Sequence, residues 1–377
     1  MRILIPSETA AGETRVAATP ETTKKFVALE CSVLIEKGAG ILSGFSDESY
    51  EAAGAEILSQ EDQTSWASAD ILLCVQRPNK NSLRKVKNGC IIVGLLSPYG
   101  NKELFESLQA NQLSALALEL LPRISRAQSA DALSSQANIA GYKSVLIGAS
   151  NLDRYLPMLM TAAGTVQPAK VVVLGAGVAG LQAIATAKRL GAVVFVSDIR
   201  PAVKEQVESL GAKFIEPPEL DQKPSESGGY AKEASEKFLE AQRQKLSDQL
   251  SEADLAICTA QVPGKKAPKL ISNEMLERMR PGSVVVDLAV AQGGNCSGTI
   301  PSQIVERNGV KLIGASDLPC SVPNHASTLY SRNLLSLLGP MIKEGNIDLN
   351  TEDELIDASL ICLNGEIRCP DSLIKEN

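Results

Sequence analysis

Two stretches of the chain gather residues whose types and spacing could do chemistry. The first is the apolar run Val171-Val172-Val173-Leu174, which passes directly into Gly175-Ala176-Gly177-Val178-Ala179-Gly180. Glycines at that spacing suit a strand turning tightly into a helix whose free amides face a pyrophosphate. Gly175 permits the turn, Gly177 lets a phosphate approach the backbone, and Gly180 lets helix and strand pack. The helical stretch Leu181–Leu190 and the stop at Gly191 supply the context that an isolated glycine motif lacks. The next apolar run, Val193–Ser197, ends in Asp198, where a carboxylate accepts hydrogen bonds from the adenosine ribose hydroxyls and repels a 2′-phosphate. That selects NAD(H) over NADP(H), with Arg200 close enough to soften the preference.

The second stretch is Arg123-Ile124-Ser125-Arg126-Ala127-Gln128-Ser129-Ala130-Asp131, followed by Ser134. It concentrates charged and amide groups where a predicted strand ends, and strand-end loops of α/β domains carry sites. On one helix, Asp131, Ser134, Asn138 and Tyr142 would form a stripe through their spacings of three and four. Periodicity leaves two readings open, a functional loop and a polar face between domains.

The elements that must position these residues alternate along the chain. Short β-rich runs at Ile3–Pro6, Ser32–Glu36, Ile71–Gln76, Ile91–Leu96 and Ala115–Leu120 are interspersed with helical stretches near Pro20–Leu29 and Asn101–Ala110, which predicts a parallel sheet. Long helical material from Arg126 to Ala163 connects to a second alternating region. Its six strand candidates are Lys170–Leu174, Val193–Ser197, Lys213–Ile215, Asp254–Thr259, Ser283–Leu288 and Lys311–Gly314, the Rossmann number. An insertion between Pro217 and Leu250 reads as a mobile loop near 220–235 leading into a charged helix. After Leu318, a helix over Thr328–Ile342 and a returning segment at Leu355–Cys362 make the first domain discontinuous. The expected organisation is α/β with two Rossmann-like domains: residues 1–139 with 320–377, and a six-stranded dinucleotide-binding domain over 140–319.

Composition narrows the function classes. The chain has 377 residues and a net charge of −7, with 37 Lys and Arg against 44 Asp and Glu, so nothing draws it to a phosphate backbone. One tryptophan, six tyrosines and six phenylalanines leave little to stack bases on, and nucleic acid is not an expected partner. The apolar runs stop far short of the ~20 residues that cross a bilayer, and the N-terminus breaks at Pro6 without a secretory apolar core. These features read as a cytoplasmic protein. Eight scattered cysteines without a CxxC pair read as buried free thiols, and a single histidine, His325, excludes most His-rich metal sites.

The loop Arg123–Asp131 resembles the Arg–Gln–Asp loop of the NAD(H)-binding component of proton-translocating nicotinamide nucleotide transhydrogenase. Glu13-Thr14-Arg15-Val16-Ala17 with Thr19-Pro20, Gly228-Gly229-Tyr230-Ala231-Lys232-Glu233, and Asp287-Leu288-Ala289 leading to Gln292-Gly293-Gly294-Asn295 resemble the same family. The likeness covers nearly the whole chain. It implies a subunit that binds NADH and passes hydride to NADP+ held on an NADP(H)-binding beta subunit, peripheral to the membrane through a membrane-spanning subunit, and it suggests a homodimer. It further implies that Arg123, Gln128, Asp131 and Ser134 position the nicotinamide groups, with Ile124 and Ser125 in the same loop contacting the cofactor, and that the NAD site faces this loop. Tyr230 would sit on a loop closing over the nucleotide, and Val178, Asp198, Ile199, Arg200, Gly229, Gln242 and Gln261 would complete its contacts. Ala234 departs from the methionine expected there.

Alanine dehydrogenase resembles the chain over the same length and shares Arg15 and the Gly-rich turn. Its reaction needs proton transfer and uses a lysine and a histidine, yet Gln76 and Ser97 stand at the matching places. His325 lies too far along the chain to substitute and reads as a hydrogen-bonded packing residue. A non-catalytic NAD(H)-sensing subunit that signals by domain closure is a third reading. Hydride transfer between two nicotinamides moves no proton to or from oxygen or nitrogen, which suits a chain with one histidine.

Overall fold

In a computed structural model the described residues are 1–59, 62–216 and 236–374. Gly229 and Tyr230, with the expected loop near 220–235 and Ala234, lie outside them. The chain divides into two compact units, Met1–Ala137 with Pro319–Asn377, and Asn138–Leu318.

In the first unit six strands run parallel. The order across the sheet is Ser114–Ala117, Ile91–Leu95, Ile71–Gln76, Arg2–Ile5, Ser32–Glu36 and Glu56–Leu58. Two antiparallel strands from the end of the chain, Leu360–Leu363 and Glu366–Ile367, complete eight. Leu355–Cys362 therefore does return to this sheet, but its first half is the helix Glu354–Ser359. The expected strand Ala115–Leu120 ends at Ala117, and Leu118–Leu120 tighten into a 3₁₀ turn. Buried tyrosines tie the layers: the Tyr330 hydroxyl donates to the Cys74 carbonyl at 2.7 Å and the Tyr50 hydroxyl to the Ala18 carbonyl at 2.7 Å.

The second unit carries the Rossmann order. Lys213–Phe214, Val193–Ser197, Lys170–Leu174, Leu255–Cys258, Val284–Asp287 and Val310–Gly314 lie side by side and parallel. A seventh strand, Ile304–Arg307, adds antiparallel to the last of them. It is exposed or half-exposed along its length, so it lacks the buried apolar run that marks the other strands, and the six-strand expectation omits it for that reason. Val171, Val172 and Val173 are fully buried. Covered on both faces, each contributes about 1.5–3 kcal/mol of apolar burial.

The expected unbroken helix from Arg126 to Ala163 divides into a 3₁₀ segment Ser125–Ala130, a helix Ala132–Asn151 and a hairpin of Leu159–Thr161 with Gly164–Val166. The long helix packs closely on its neighbour: a Cβ at Gly141 would sit 2.1 Å from the Ala179 carbonyl oxygen, so only glycine fits. Six cysteines are buried as free thiols, while Cys320 and Cys369 are partly exposed. His325 does not pack as expected. It lies exposed on the helix Pro323–Leu338 and makes no hydrogen bond among the described residues, because its position near the helix start points it away from the core that Ala326 and Tyr330 enter. Among the described residues no helix is long and apolar enough to cross a membrane.

Candidate functional site

In the second unit the order reverses between Lys170–Leu174 and Leu255–Cys258, the switch point where open α/β sheets bind ligands beyond the carboxyl ends of their strands. The register pairs Leu174 with Ser197 on one side and Cys258 on the other, so Gly175, Asp198 and Thr259 emerge together at one edge. Gly175 has φ +101, and the Thr259 hydroxyl donates to its carbonyl at 2.9 Å. A Cβ at Gly180 would stand 1.9 Å from the Gly175 oxygen, whereas at Gly177 it would meet nothing within 4 Å. Gly180 thus serves packing and Gly177 leaves open space above the turn. The helix Val178–Arg189 begins at Gly177 with no side-chain cap, leaving first-turn amides available to an anion.

The Asp198 carboxylate closes this turn from the next strand. It accepts from the Ala176 amide at 2.7 Å and the Arg200 amide at 2.9 Å, and from Arg200 Nε at 3.0 Å and Nη2 at 3.1 Å. Burial pushes its pKa up, but the Arg200 guanidinium and the two amides outweigh burial and hold it below the usual carboxylate range. Ile199 is 74% exposed and Val178 41% exposed, two aliphatic surfaces flanking the turn.

Gln261 also reaches this edge, with Nε2 donating to the Leu288 carbonyl at 2.8 Å. Gln242 lies half-buried on the helix Glu236–Ser251, and no hydrogen bond joins it to the turn. The support beneath was not assigned from sequence. Buried Asn295 receives the Ala260 amide at 3.0 Å and donates to the Ala260 and Pro268 carbonyls, each at 2.8 Å. Buried Asp287 receives the Ala289 and Cys296 amides, each at 3.0 Å. Both residues belong to motifs that the sequence singles out, but a motif does not say which backbone groups a side chain will hold.

The first unit builds the Arg123–Ser134 region. Ile124 is half-buried; Ser125 and Gln128 are exposed in the 3₁₀ segment, and Arg123 is exposed just before it. Among the described residues neither Arg123 nor Gln128 makes a side-chain hydrogen bond. Asp131 is not on the helical stripe expected for it. It precedes the helix and caps it, Oδ1 accepting from the Ser134 amide at 2.9 Å and Oδ2 from the Ser134 hydroxyl at 2.5 Å, because a short carboxylate satisfies first-turn amides better than it serves a helix interior. Arg126 is committed elsewhere, to both oxygens of Asp353 at 2.7 Å.

A second polar cluster in this unit surrounds Glu13 and Arg15. Gln76 Nε2 donates to Glu13 Oε2 at 3.0 Å, and Glu8, which sequence reasoning passed over, accepts the Val75 and Gln76 amides at 2.5 and 3.2 Å. Burial is the largest influence on Glu8 and raises its pKa to about 7. Burial also opposes ionisation of Glu13, but the bonds from Arg15 prevail and bring it down to about 2. Ser97 holds φ +50, its amide donating to Glu119 at 2.6 Å.

Family models for the alanine dehydrogenase/PNT N-terminal domain and C-terminal domain match residues 4–140 and 144–370. The chain belongs to the alanine dehydrogenase/PNT family. Within that family it is 46% identical over 378 residues to the first portion of the NAD(P) transhydrogenase alpha subunit of Rhodospirillum rubrum, covering 98% of each chain. It is 28% identical over 375 residues to alanine dehydrogenase of Bacillus subtilis, covering 97% of this chain and 92% of that one. The solved structure of transhydrogenase from Sinorhizobium meliloti superposes with a TM-score of 0.88 at 42% identity, over 97% of this chain and all of that one. The Rossmann-like α/β fold is thus that of an alanine dehydrogenase/PNT protein, and nicotinamide nucleotide binding is the property of its family.

Proposed function

We propose that this chain is the NAD(H)-binding subunit of a proton-translocating nicotinamide nucleotide transhydrogenase, passing hydride directly from NADH to NADP+ held on an NADP(H)-binding beta subunit. A membrane-spanning subunit carries the protons, and the chain works as a homodimer at the membrane surface through these partners. The observation that carries the reading is the side chain at position 76. Where alanine dehydrogenase resembles the chain with a lysine, Gln76 is an amide that donates to Glu13 and has no proton to exchange near neutral pH. Ser97, at the place of the histidine, is likewise no acid or base. The higher identity to the transhydrogenase relative supports the same side.

The residues present fit a dinucleotide. The open space at Gly177 and the uncapped helix start would take the pyrophosphate, Asp198 the ribose hydroxyls, and Val178 and Ile199 offer aliphatic surface for the adenine. Gly175 and Gly180 shape the turn, and Arg200, Gln242 and Gln261, with Gly229 and Tyr230, are proposed to add contacts. Bound NADH supplies the hydride. Arg123, Gln128, Asp131 and Ser134, with Ile124 and Ser125, orient the nicotinamide carboxamide and keep water from it, so the rate rests on position and not on proton transfer.

The test mixes the purified chain with a separately purified NADP(H)-binding transhydrogenase component and follows hydride transfer from NADH to a thio- or acetylpyridine analogue of the acceptor. Transfer that needs both proteins, with pyruvate plus ammonia leaving NADH unoxidised, is the expected result. Oxidation of NADH by pyruvate and ammonia would return the alanine dehydrogenase reading.

A further inference from the structure

Glu13 and Arg15 have no role in hydride transfer as proposed, yet they are among the most deeply buried charges of the first unit, at 8% and 4% exposure. The Arg15 fork is already filled from inside the chain. Its Nε donates to Glu13 Oε1 at 2.7 Å and its Nη2 to Glu13 Oε2 at 2.6 Å, the two-point geometry that an external carboxylate would otherwise take. Nη1 is left to point elsewhere, and it donates to Gln136 Oε1 at 2.9 Å.

From Gln136 a chain of hydrogen bonds leads to the Arg–Gln–Asp loop. Gln136 Nε2 donates to the Ala326 carbonyl at 3.1 Å and lies 3.3 Å from the Ser135 hydroxyl oxygen. The Ser135 hydroxyl donates to Asn333 Oδ1 at 2.7 Å, and Asn333 Nδ2 donates to the Ser129 carbonyl at 2.8 Å. Ser129 is the residue between Gln128 and Asp131 that has its backbone pinned from outside the loop. Asn333 is 7% exposed, so neither of its amide atoms has water as an easy alternative, and the two bonds hold loop and helix start in one fixed relation. The helix Pro323–Leu338 supplies both anchoring points, Ala326 and Asn333, two turns apart.

We propose that Asn333 is a positioning residue for hydride transfer, and that the Glu13–Arg15 pair serves it through Gln136 by fixing the first turn of the helix that follows the loop. Arg15 is here an internal strut and not a binder of substrate carboxylate. The proposal rests on the transhydrogenase reading, since it gives the loop its job.

The test compares wild type, Asn333→Ala, the isosteric Asn333→Asp and a control, Asn324→Ala, in the full chain with the NADP(H)-binding component. Asn324 lies on the same helix and its Nδ2 donates to the Ser43 carbonyl at 2.9 Å, away from the loop. Three quantities are read: hydride transfer at saturating nucleotides, the NADH dissociation constant, and hydrogen exchange of the amides at 125–131. Both Asn333 variants should exchange faster in the loop and transfer hydride about 10- to 100-fold more slowly, with the NADH constant within about twofold and Asn324→Ala unchanged. Asn333→Asp retains folding if Asn333→Ala does not, because it keeps the acceptor for Ser135 and loses only the donor to Ser129. Unchanged loop exchange, unchanged transfer, or an equal slowing in Asn324→Ala overturns the proposal. A wild type that transfers nothing overturns the transhydrogenase reading instead, and a fast loop in Asn333→Asp then still separates the two failures.

Discussion

Arg200 lies across the carboxylate of Asp198, with Nε 3.0 Å from Oδ1 and Nη2 3.1 Å from Oδ2. The Asp198 side chain is 6% exposed and that of Arg200 54%, so the arginine is the member free to leave. Ribose hydroxyls that bind this carboxylate must compete with it. An exposed ion pair is worth about 0.2–1 kcal/mol, so Arg200→Ala should tighten NADH binding by up to about fivefold. It should also increase discrimination against NADPH, because a nearby positive charge is gone. Asp198→Ala should do the reverse and bring the NADH and NADPH constants together. Fluorescence titration with both nucleotides checks the pair, and an unchanged ratio in Asp198→Ala would remove the carboxylate from nucleotide selection.

Gly177 and Gly180 separate binding from folding within one motif. At Gly180 a Cβ would collide with a backbone oxygen at 1.9 Å, and Gly180→Ala should unfold the second unit or lower its melting temperature by many degrees. At Gly177 φ is −76 and nothing lies within 4 Å of an added Cβ. Gly177→Ala should therefore melt within a degree or so of wild type yet bind NADH about tenfold more weakly, a cost of about 1.4 kcal/mol. Calorimetry with a binding isotherm decides it, and a Gly177→Ala protein that binds NADH normally would move the pyrophosphate elsewhere.

Asp131 has two roles that substitution can part. As a helix cap it is worth about 1 kcal/mol, and asparagine caps about as well. Asp131→Ala should lose that stability and slow hydride transfer, whereas Asp131→Asn should keep the stability and still transfer slowly if the carboxylate itself acts. The NADH constant should change far less than the rate in either variant. Full recovery of transfer in Asp131→Asn would reduce the residue to its capping role.

Glu8 makes stability depend on pH. Its folded pKa of about 7 exceeds the ordinary value of 4.5, so the native state binds more protons than the unfolded chain between those values. Stability from this group is therefore full below about pH 4.5 and is lost as the pH rises through 7. Buried Glu119 is raised as well and acts with the same sign, whereas Glu13, lowered to about 2, loses its contribution only as pH falls below about 4.5. Melting temperatures taken from pH 5 to 8 should fall, and Glu8→Gln should flatten the slope. An equal slope in wild type and Glu8→Gln would place the proton elsewhere.

What the sequence determined by itself is what neighbours along the chain decide. The boundaries Ser32–Glu36, Ile71–Gln76, Lys170–Leu174 and Val193–Ser197 could be read directly because strands covered on both faces are continuous apolar runs. The Gly-rich turn and Asp198 were legible because a strand, a turn and a helix follow one another without interruption. The role of Arg123–Asp131 came from its resemblance to a family, since its polar residues have no period that distinguishes a site from a surface.

Only the tertiary structure decided where the polar groups find their partners. Glu8 meets the amides of Val75 and Gln76, Arg15 meets Gln136, and Ser135 meets Asn333, across separations of 67, 68, 121 and 198 residues. The exposed strand Ile304–Arg307 and the cap made by Asp131 belong with them. Burial writes a pattern into the chain because every second or fourth residue must be apolar. A hydrogen bond between distant side chains asks only for one donor and one acceptor, and the fold alone brings those two atoms within about 3 Å.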